Sequence, residues 1–190
     1  MGGDIIVDGD IVVDEKIVYI SLGSNLGDRA RMIERAIGAL NSADIRVTRQ
    51  SSLYITEPVQ APGQPRFLNA VVEAGTSLLP LQLLHALLKI ERALGRRRIT
   101  PHGPRNIDLD LLFYGSSVIR SKELEVPHPR LTERRFVLIP LAQIAPEFRH
   151  PVLHKSMTQI LAETPDRSGV RLWQTAAEGQ IAGEGQGGGA

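Results

Sequence analysis

The chain has no cysteine, so disulfides and thiolate metal sites are excluded and a reducing cytoplasm is compatible with it. Aromatic residues make up only 4% of it, too few for the exposed stacking surface of an RNA-binding sheet. An excess of one charge is also missing. Lys and Arg number 22 against 21 Asp and Glu, and a net charge of +1 offers no global field for nucleic acid or an anionic membrane. Any anion site must therefore be local. No apolar run reaches the roughly 20 residues that span a bilayer, and the N-terminus lacks a basic region followed by an apolar stretch. A Gly-Lys dipeptide is absent too, which rules out a Walker-type phosphate loop.

What is present is 190 residues with 42% apolar content, enough for one well-buried core and too few for two ordinary domains. Residues 1–15 set two β-branched runs around Asp8-Gly9, a hairpin signal, and form an N-terminal extension. Lys16 to Leu22 reads as a strand ending in Gly23-Ser24-Asn25-Leu26-Gly27-Asp28, with Asp28 as N-cap of a helix built on Met32, Ile33, Ala36, Ile37 and Leu40. Ile45 to Thr56 reads as one strand bent near Ser51-Ser52. A Pro/Gly-rich loop follows, then a strand from Phe67 to Thr76 and a helix from Leu81 to Leu94 that Gly95 ends. A second irregular stretch, 95–105, leads into the strand of Ile107 to Leu112. Beyond it lie an apolar segment from Val137 to Ile144, a short helix from Met157 to Ala162 and a closing strand from Val170 to Trp173. The catalytic domain is expected over 16–175 and a disordered Gly-rich tail over 176–190. The order predicts an α+β ferredoxin-like sandwich with a mainly antiparallel sheet and additional C-terminal elements.

Gly103-Pro-Arg-Asn-Ile-Asp-Leu-Asp-Leu-Leu112 carries the chemistry. On a strand, Asp108 and Asp110 share one face and Ile107, Leu109 and Leu111 the other. Paired carboxylates repel unless a cation lies between them, and Mg2+, a hard ion that bridges to phosphates, suits the pair. In isolation Asp-x-Asp is more often a solvated strand face. Here Arg92, Arg96, Arg97, Arg98 and Arg105 crowd the same stretch, and guanidinium forks bind phosphate oxygens bidentately. Phe67 and Asn69 share a strand face, and Phe136 is a second ring, a set able to stack and hydrogen-bond a flat heterocycle. His150 and His154 have ligand spacing but no third partner, so no zinc site is expected.

Together with Tyr19-Ile-Ser-Leu-Gly-Ser-Asn-Leu-Gly-Asp28, Ser52-Leu-Tyr-Ile-Thr-Glu-Pro58, Phe67-Leu-Asn69, Ile90-Glu91 and Val126-Pro-His-Pro-Arg130 with Arg134 and Phe136, this motif resembles the 6-hydroxymethyl-7,8-dihydropterin pyrophosphokinase family from Lys16 to Trp173. The resemblance implies transfer of pyrophosphate from ATP to the pterin hydroxymethyl group. It implies two Mg2+ ions on Asp108 and Asp110, and Arg96 and Arg105 closing onto the phosphates with Arg98 as helper. It places Glu91, His128 and Arg134 at ATP, and Thr56, Val59, Phe67, Asn69 and Phe136 at the pterin. ATP and the pterin are the expected partners of a cytoplasmic monomer that binds neither nucleic acid nor membrane.

The chain departs from the family's familiar form in places. The loop between Gly95 and Asp108 is one residue shorter, His102 replaces a covering tryptophan, Pro129 a tyrosine and Glu57 a proline. Two other readings compete. A palm-type nucleotidyltransferase also joins a Gly-Ser turn to Asp-x-Asp, but there the motifs are close in sequence, whereas Ser24 and Asp108 are not. A non-enzymatic RNA-binding module would need the aromatics and basic face that are lacking.

Overall fold

The computed structural model describes residues 15–57, 65–96 and 105–174, with the backbone of residues 6–7 and 10–11. Strands β1 (Ile6–Val7) and β2 (Asp10–Ile11) form a short antiparallel pair ahead of the main sheet. Strand β3 (Lys16–Ser24) is an interior strand of the sheet, and its run of Val18, Tyr19, Ile20 and Leu22 is buried, as a strand covered on both faces must be. Asp28 caps α1 (Arg29–Leu40), its Oδ1 accepting from the Arg31 N–H at 3.1 Å. Ile33, Ala36 and Leu40, three and four residues apart, make the buried face of α1.

The single bent strand expected from Ile45 to Thr56 is two strands, β4 (Ile45–Gln50) and β5 (Tyr54–Thr56). Ser51 explains the break. Its N–H donates to the Val71 carbonyl at 2.9 Å and its Oγ accepts from the Val71 N–H at 3.0 Å. A hydroxyl thus replaces a ladder carbonyl, and the chain bends without orphaning Val71. Both strands pair with β6 (Phe67–Thr76). Helix α2 (Pro80–Ala93) opens on proline, whose missing N–H costs nothing in a first turn, and ends at Leu94, before Gly95 at φ +86°.

Strand β7 (Asp108–Tyr114) follows, then the small antiparallel pair β8 (Ile119–Arg120) and β9 (Glu125–Val126) and a 3-10 turn at Leu131–Glu133. The apolar segment around Val137 forms helix α3 (Arg135–Ile144), which carries Pro140 inside it. Helix α4 (Met157–Glu163) is capped by Ser156, and β10 (Val170–Leu172) pairs with β5.

The sheet runs β10–β5–β6–β3–β7, with β4 also on β6, and its pairings are antiparallel. One face, with Ile20, Leu22, Ala70 and Leu109, packs on α1 and α2 through Ile33, Leu83 and Leu87. The other, with Tyr19, Val71, Leu112 and Phe113, packs on α3 and α4 through Val137, Leu138, Leu141 and Ile160. A register shift between Tyr19 and Ile20 lets the consecutive Leu112 and Phe113 both join this second core. The architecture is α+β, with helices on both faces of an antiparallel sheet. Glu73 fixes α3 on its face. It accepts from Tyr19 Oη at 2.8 Å and from Arg49 Nη2 at 2.7 Å, and Arg49 Nη1 donates at 2.6 Å to the Ile144 carbonyl at the end of α3.

Candidate active site

The site begins where the α3–α4 layer stops covering its face of the sheet. Asp108 pairs across β3 with Gly23, and Gly23 pairs with Asn69 of β6, so all three lie in one row on that face. Asp110 lies two residues further along, opposite Ser21. The alternation read from the sequence holds: Leu109 and Leu111 are each 4% exposed in the opposite core, while both aspartates are half-buried. Gly23 is favoured by close approach. A Cβ there would lie 3.3 Å from Asn69 Oδ1 and 4.0 Å from the Phe67 ring.

The two carboxylates are held differently. Asp108 has both oxygens engaged, Oδ1 by Arg96 Nη1 at 2.6 Å and Oδ2 by Arg105 Nη1 at 2.5 Å. Arg96 also pairs with Glu91, which is only 2% exposed. Glu91 Oε1 accepts the Leu109 N–H at 2.7 Å, satisfying a backbone donor on the outermost strand of the sheet. Burial pushes the Glu91 carboxyl up, against the pull of that N–H and of Arg96. Asp110 has Arg134 at 3.9 Å as its ion-pair partner among the described residues, and its side chain is 42% exposed. Lost hydration first, and the charge of Asp108 second, raise it to about 6.

His128 reaches the site from the segment after β9. Its N–H donates to the Leu112 carbonyl at 3.0 Å and its Nδ1 accepts the Arg130 N–H at 3.2 Å. Burial, then Arg134 and Arg130, lower it to about 4, so the imidazole is neutral at pH 7. On the other side of Gly23, Asn69 is 3% exposed and its Nδ2 donates to Thr56 Oγ1 at 2.9 Å. Phe67 is half-buried beside it, with Thr56 as its cross-strand partner. Phe136, at the start of α3, packs against the edge of the second core and has the Arg134 guanidinium 5.7 Å from its ring centre.

A cleft of about 370 Å³ opens beside the carboxylates, between α2, β7 and residues 121–129. Leu84, Leu88 and Leu124 give it an apolar wall, and Arg96, Asp108 and Asp110 give it a charged end. That volume is within the range of small-molecule sites.

Of the residues expected from the sequence, Glu91, Arg96, Arg105, Asp108, Asp110 and Arg134 come together as one charged cluster, with neutral His128 beside it. Thr56, Phe67 and Asn69 gather on the far side of Gly23. The ring contacts among the described residues do not join Phe67 to Phe136. Val59, Arg98 and His102 lie outside the described residues. Sequence reasoning gave no role to Asn25, although its Oδ1 accepts the Arg105 N–H at 2.7 Å. The only signal was its place in the Gly-Ser-Asn turn.

Among the described residues no three His, Asp or Glu side chains are placed to hold one metal ion between them. Asp108 and Asp110 are the carboxylates that could hold a hard divalent cation, with further oxygens from substrate and water, a donor set that suits an ion shared with phosphates. An acidic pair countered by arginines at the charged end of an apolar cleft is the equipment of a phosphoryl-transfer enzyme. The 7,8-dihydro-6-hydroxymethylpterin-pyrophosphokinase (HPPK) family model matches residues 19–146, and the chain belongs to that family. It is 45% identical over 159 residues to the 2-amino-4-hydroxy-6-hydroxymethyldihydropteridine pyrophosphokinase of Bacillus subtilis (strain 168), covering 83% of this chain and 90% of that one. To the folic acid synthesis protein fol1 of Pneumocystis carinii it is 46% identical over 154 residues, 81% of this chain. That match spans only 21% of fol1. Among solved structures, HPPK-DHPS A437G of Plasmodium falciparum superimposes with a TM-score of 0.65 at 16% identity, over 79% of this chain and 45% of that one. This last likeness concerns the fold alone.

Proposed function

We propose that this chain transfers the β,γ-pyrophosphoryl group of ATP to the hydroxymethyl group of 6-hydroxymethyl-7,8-dihydropterin, giving AMP and the pterin diphosphate for folate synthesis. The pterin hydroxyl oxygen bonds to the β-phosphorus, the bond from that phosphorus to the α,β-bridging oxygen breaks, and the hydroxyl proton is released. The observation that carries this reading is the row Asn69–Gly23–Asp108. Neighbouring strands lie about 4.8 Å apart, so a pterin partner and a carboxylate stand roughly 10 Å apart on one face with only a glycine between them. That spacing suits a pterin whose arm reaches over Gly23 toward the carboxylates.

Asp108 and Asp110 are the residues that would hold Mg2+, two ions in the family's pattern. When bound, the ions neutralise and orient the triphosphate. Arg96 and Arg105, now on Asp108, are the groups to turn toward phosphate oxygens as charge builds on them. Neutral His128 on the cleft and Arg134 beside Asp110 serve the nucleotide, and Glu91, enclosed, acts there through Arg96. Leu84, Leu88 and Leu124 suit the base. Asn69 offers its carboxamide to the pterin edge, Thr56 steadies it, and Phe67 and Phe136 supply the faces.

The element order and the sheet order β7–β3–β6–β5 support a ferredoxin-like sandwich for β3 to β7, with the later elements added. We take residues 16–175 as the catalytic unit, working as a cytoplasmic monomer; no described helix is long and apolar enough to cross a membrane. The test is Asp110→Ala, assayed for ATP-dependent pterin consumption. Turnover should fall about a hundredfold or more, the equivalent of roughly 3 kcal/mol of transition-state stabilisation. Wild-type turnover would refute the metal role.

A further inference from the structure

We infer that Asn25 is a positioning residue for Arg105, fixing the arginine's backbone so that only its side chain has to change partners. The inference rests on the reading of Arg105 as a phosphate-facing group. Asn25 is fully buried, and it grips Arg105 twice: its own N–H donates to the Arg105 carbonyl at 3.2 Å, and its Oδ1 accepts the Arg105 N–H at 2.7 Å. The β3–β7 ladder ends at Gly23 and Asp108. Beyond it a regular antiparallel register would set residue 25 opposite residue 106; instead the Asn25 amide oxygen replaces a strand carbonyl and closes the ladder on Arg105.

Arg105 is therefore held at two points of different character. Its backbone is tied to the residue just past the end of β3 by two neutral hydrogen bonds inside the protein. Its guanidinium, 30% exposed, is tied to Asp108 by an ion pair. A cation on Asp108 competes for the second tie and leaves the first untouched. The guanidinium then swings from a fixed pivot, already within reach of whatever Asp108 holds. A buried asparagine suits this task better than an aspartate, because a second carboxylate beside Arg105 would compete with the phosphates for it.

The test is a double-mutant cycle with Asn25→Ala and Arg105→Ala, measuring kcat, KM for ATP, and hydrogen exchange at the residue 105 amide. Asn25→Ala should lower kcat about tenfold or more while KM for ATP changes by less than about threefold, because the pivot matters in the transition state rather than in nucleotide binding. Exchange at Arg105 should quicken by a comparable factor. In the Arg105→Ala background, Asn25→Ala should cost less than about twofold, since there is no guanidinium left to position. The same loss in both backgrounds, a wild-type kcat, or unchanged exchange would overturn the inference. If Asn25→Ala does not fold, Asn25→Ser, too short to reach the Arg105 N–H, takes its place in the cycle. Wild-type turnover in Arg105→Ala alone would instead sink the reading of Arg105, a separate outcome.

Discussion

Asp110 is the residue whose environment works against the fold. With no cation bound, its carboxyl sits at about 6 rather than near 3.8, through partial desolvation and the charge of Asp108. A folded-state value above the unfolded one means stability that is fully present below the unfolded value and lost as pH rises through about 6. At pH 7 the folded, metal-free protein therefore carries a penalty. Asp110→Asn should remove it, raising the unfolding free energy at pH 7 by about 1 kcal/mol, a figure discounted because the side chain is 42% exposed. Near pH 3 the variant and the parent should unfold alike. Urea melts in a chelator at both pH values measure this, and equal stability at pH 7 would show that Asp110 is not strained. Nothing in the sequence distinguished Asp110 from Asp108. The asymmetry arises because Arg96 and Arg105 both turn to Asp108, and that is a fact of side-chain direction.

At the level of elements, the junction of α2 with β7 builds the site. Leu83, Leu87 and Glu91 share the buried face of α2 at steps of four; the sequence placed Leu87 and Glu91 on that face but set Leu84 and Leu88 beside them instead of Leu83, and the resemblance set Glu91 at the nucleotide. Its second duty was not legible, because it depends on β7 being the outermost strand of the sheet and offering Leu109 N–H outward. Two variants separate the duties. Glu91→Gln keeps an acceptor for Leu109 and loses only the charge that faces Arg96; Glu91→Ala loses both. The alanine variant should cost about 3 kcal/mol of stability and the glutamine variant about 1 kcal/mol, read from denaturant midpoints. Equal costs would show that the Leu109 contact contributes nothing. The break between β4 and β5 was placed correctly at Ser51 but read as a bend within one strand. A serine that ties itself to Val71 through both N–H and Oγ interrupts a strand without leaving the sheet, and periodicity does not register that.

Over the whole molecule, the α+β class and the antiparallel sheet followed from the order of elements, strand, helix, strand, strand, helix, strand, which leaves few ways to pair four strands under two amphipathic helices. The type of α3 did not follow. Its apolar run is nearly unbroken, so it has no period to read, and tertiary packing holds it as a helix although Pro140 lies inside it. The site was legible as two motifs, the Asp-x-Asp strand and the Phe67–Asn69 strand. The resemblance joined them, but the geometry of their union was not legible: it needs Gly23 between them on β3, 85 residues from Asp108 in the chain but its direct neighbour in the sheet. The central claim, that this union joins the β-phosphorus of ATP to a pterin hydroxyl, is tested most directly by the products. With ATP, Mg2+ and 6-hydroxymethyl-7,8-dihydropterin, phosphorus NMR of the reaction should show AMP and the pterin diphosphate forming in equal amounts. ADP with a pterin monophosphate, or free pyrophosphate, would contradict it.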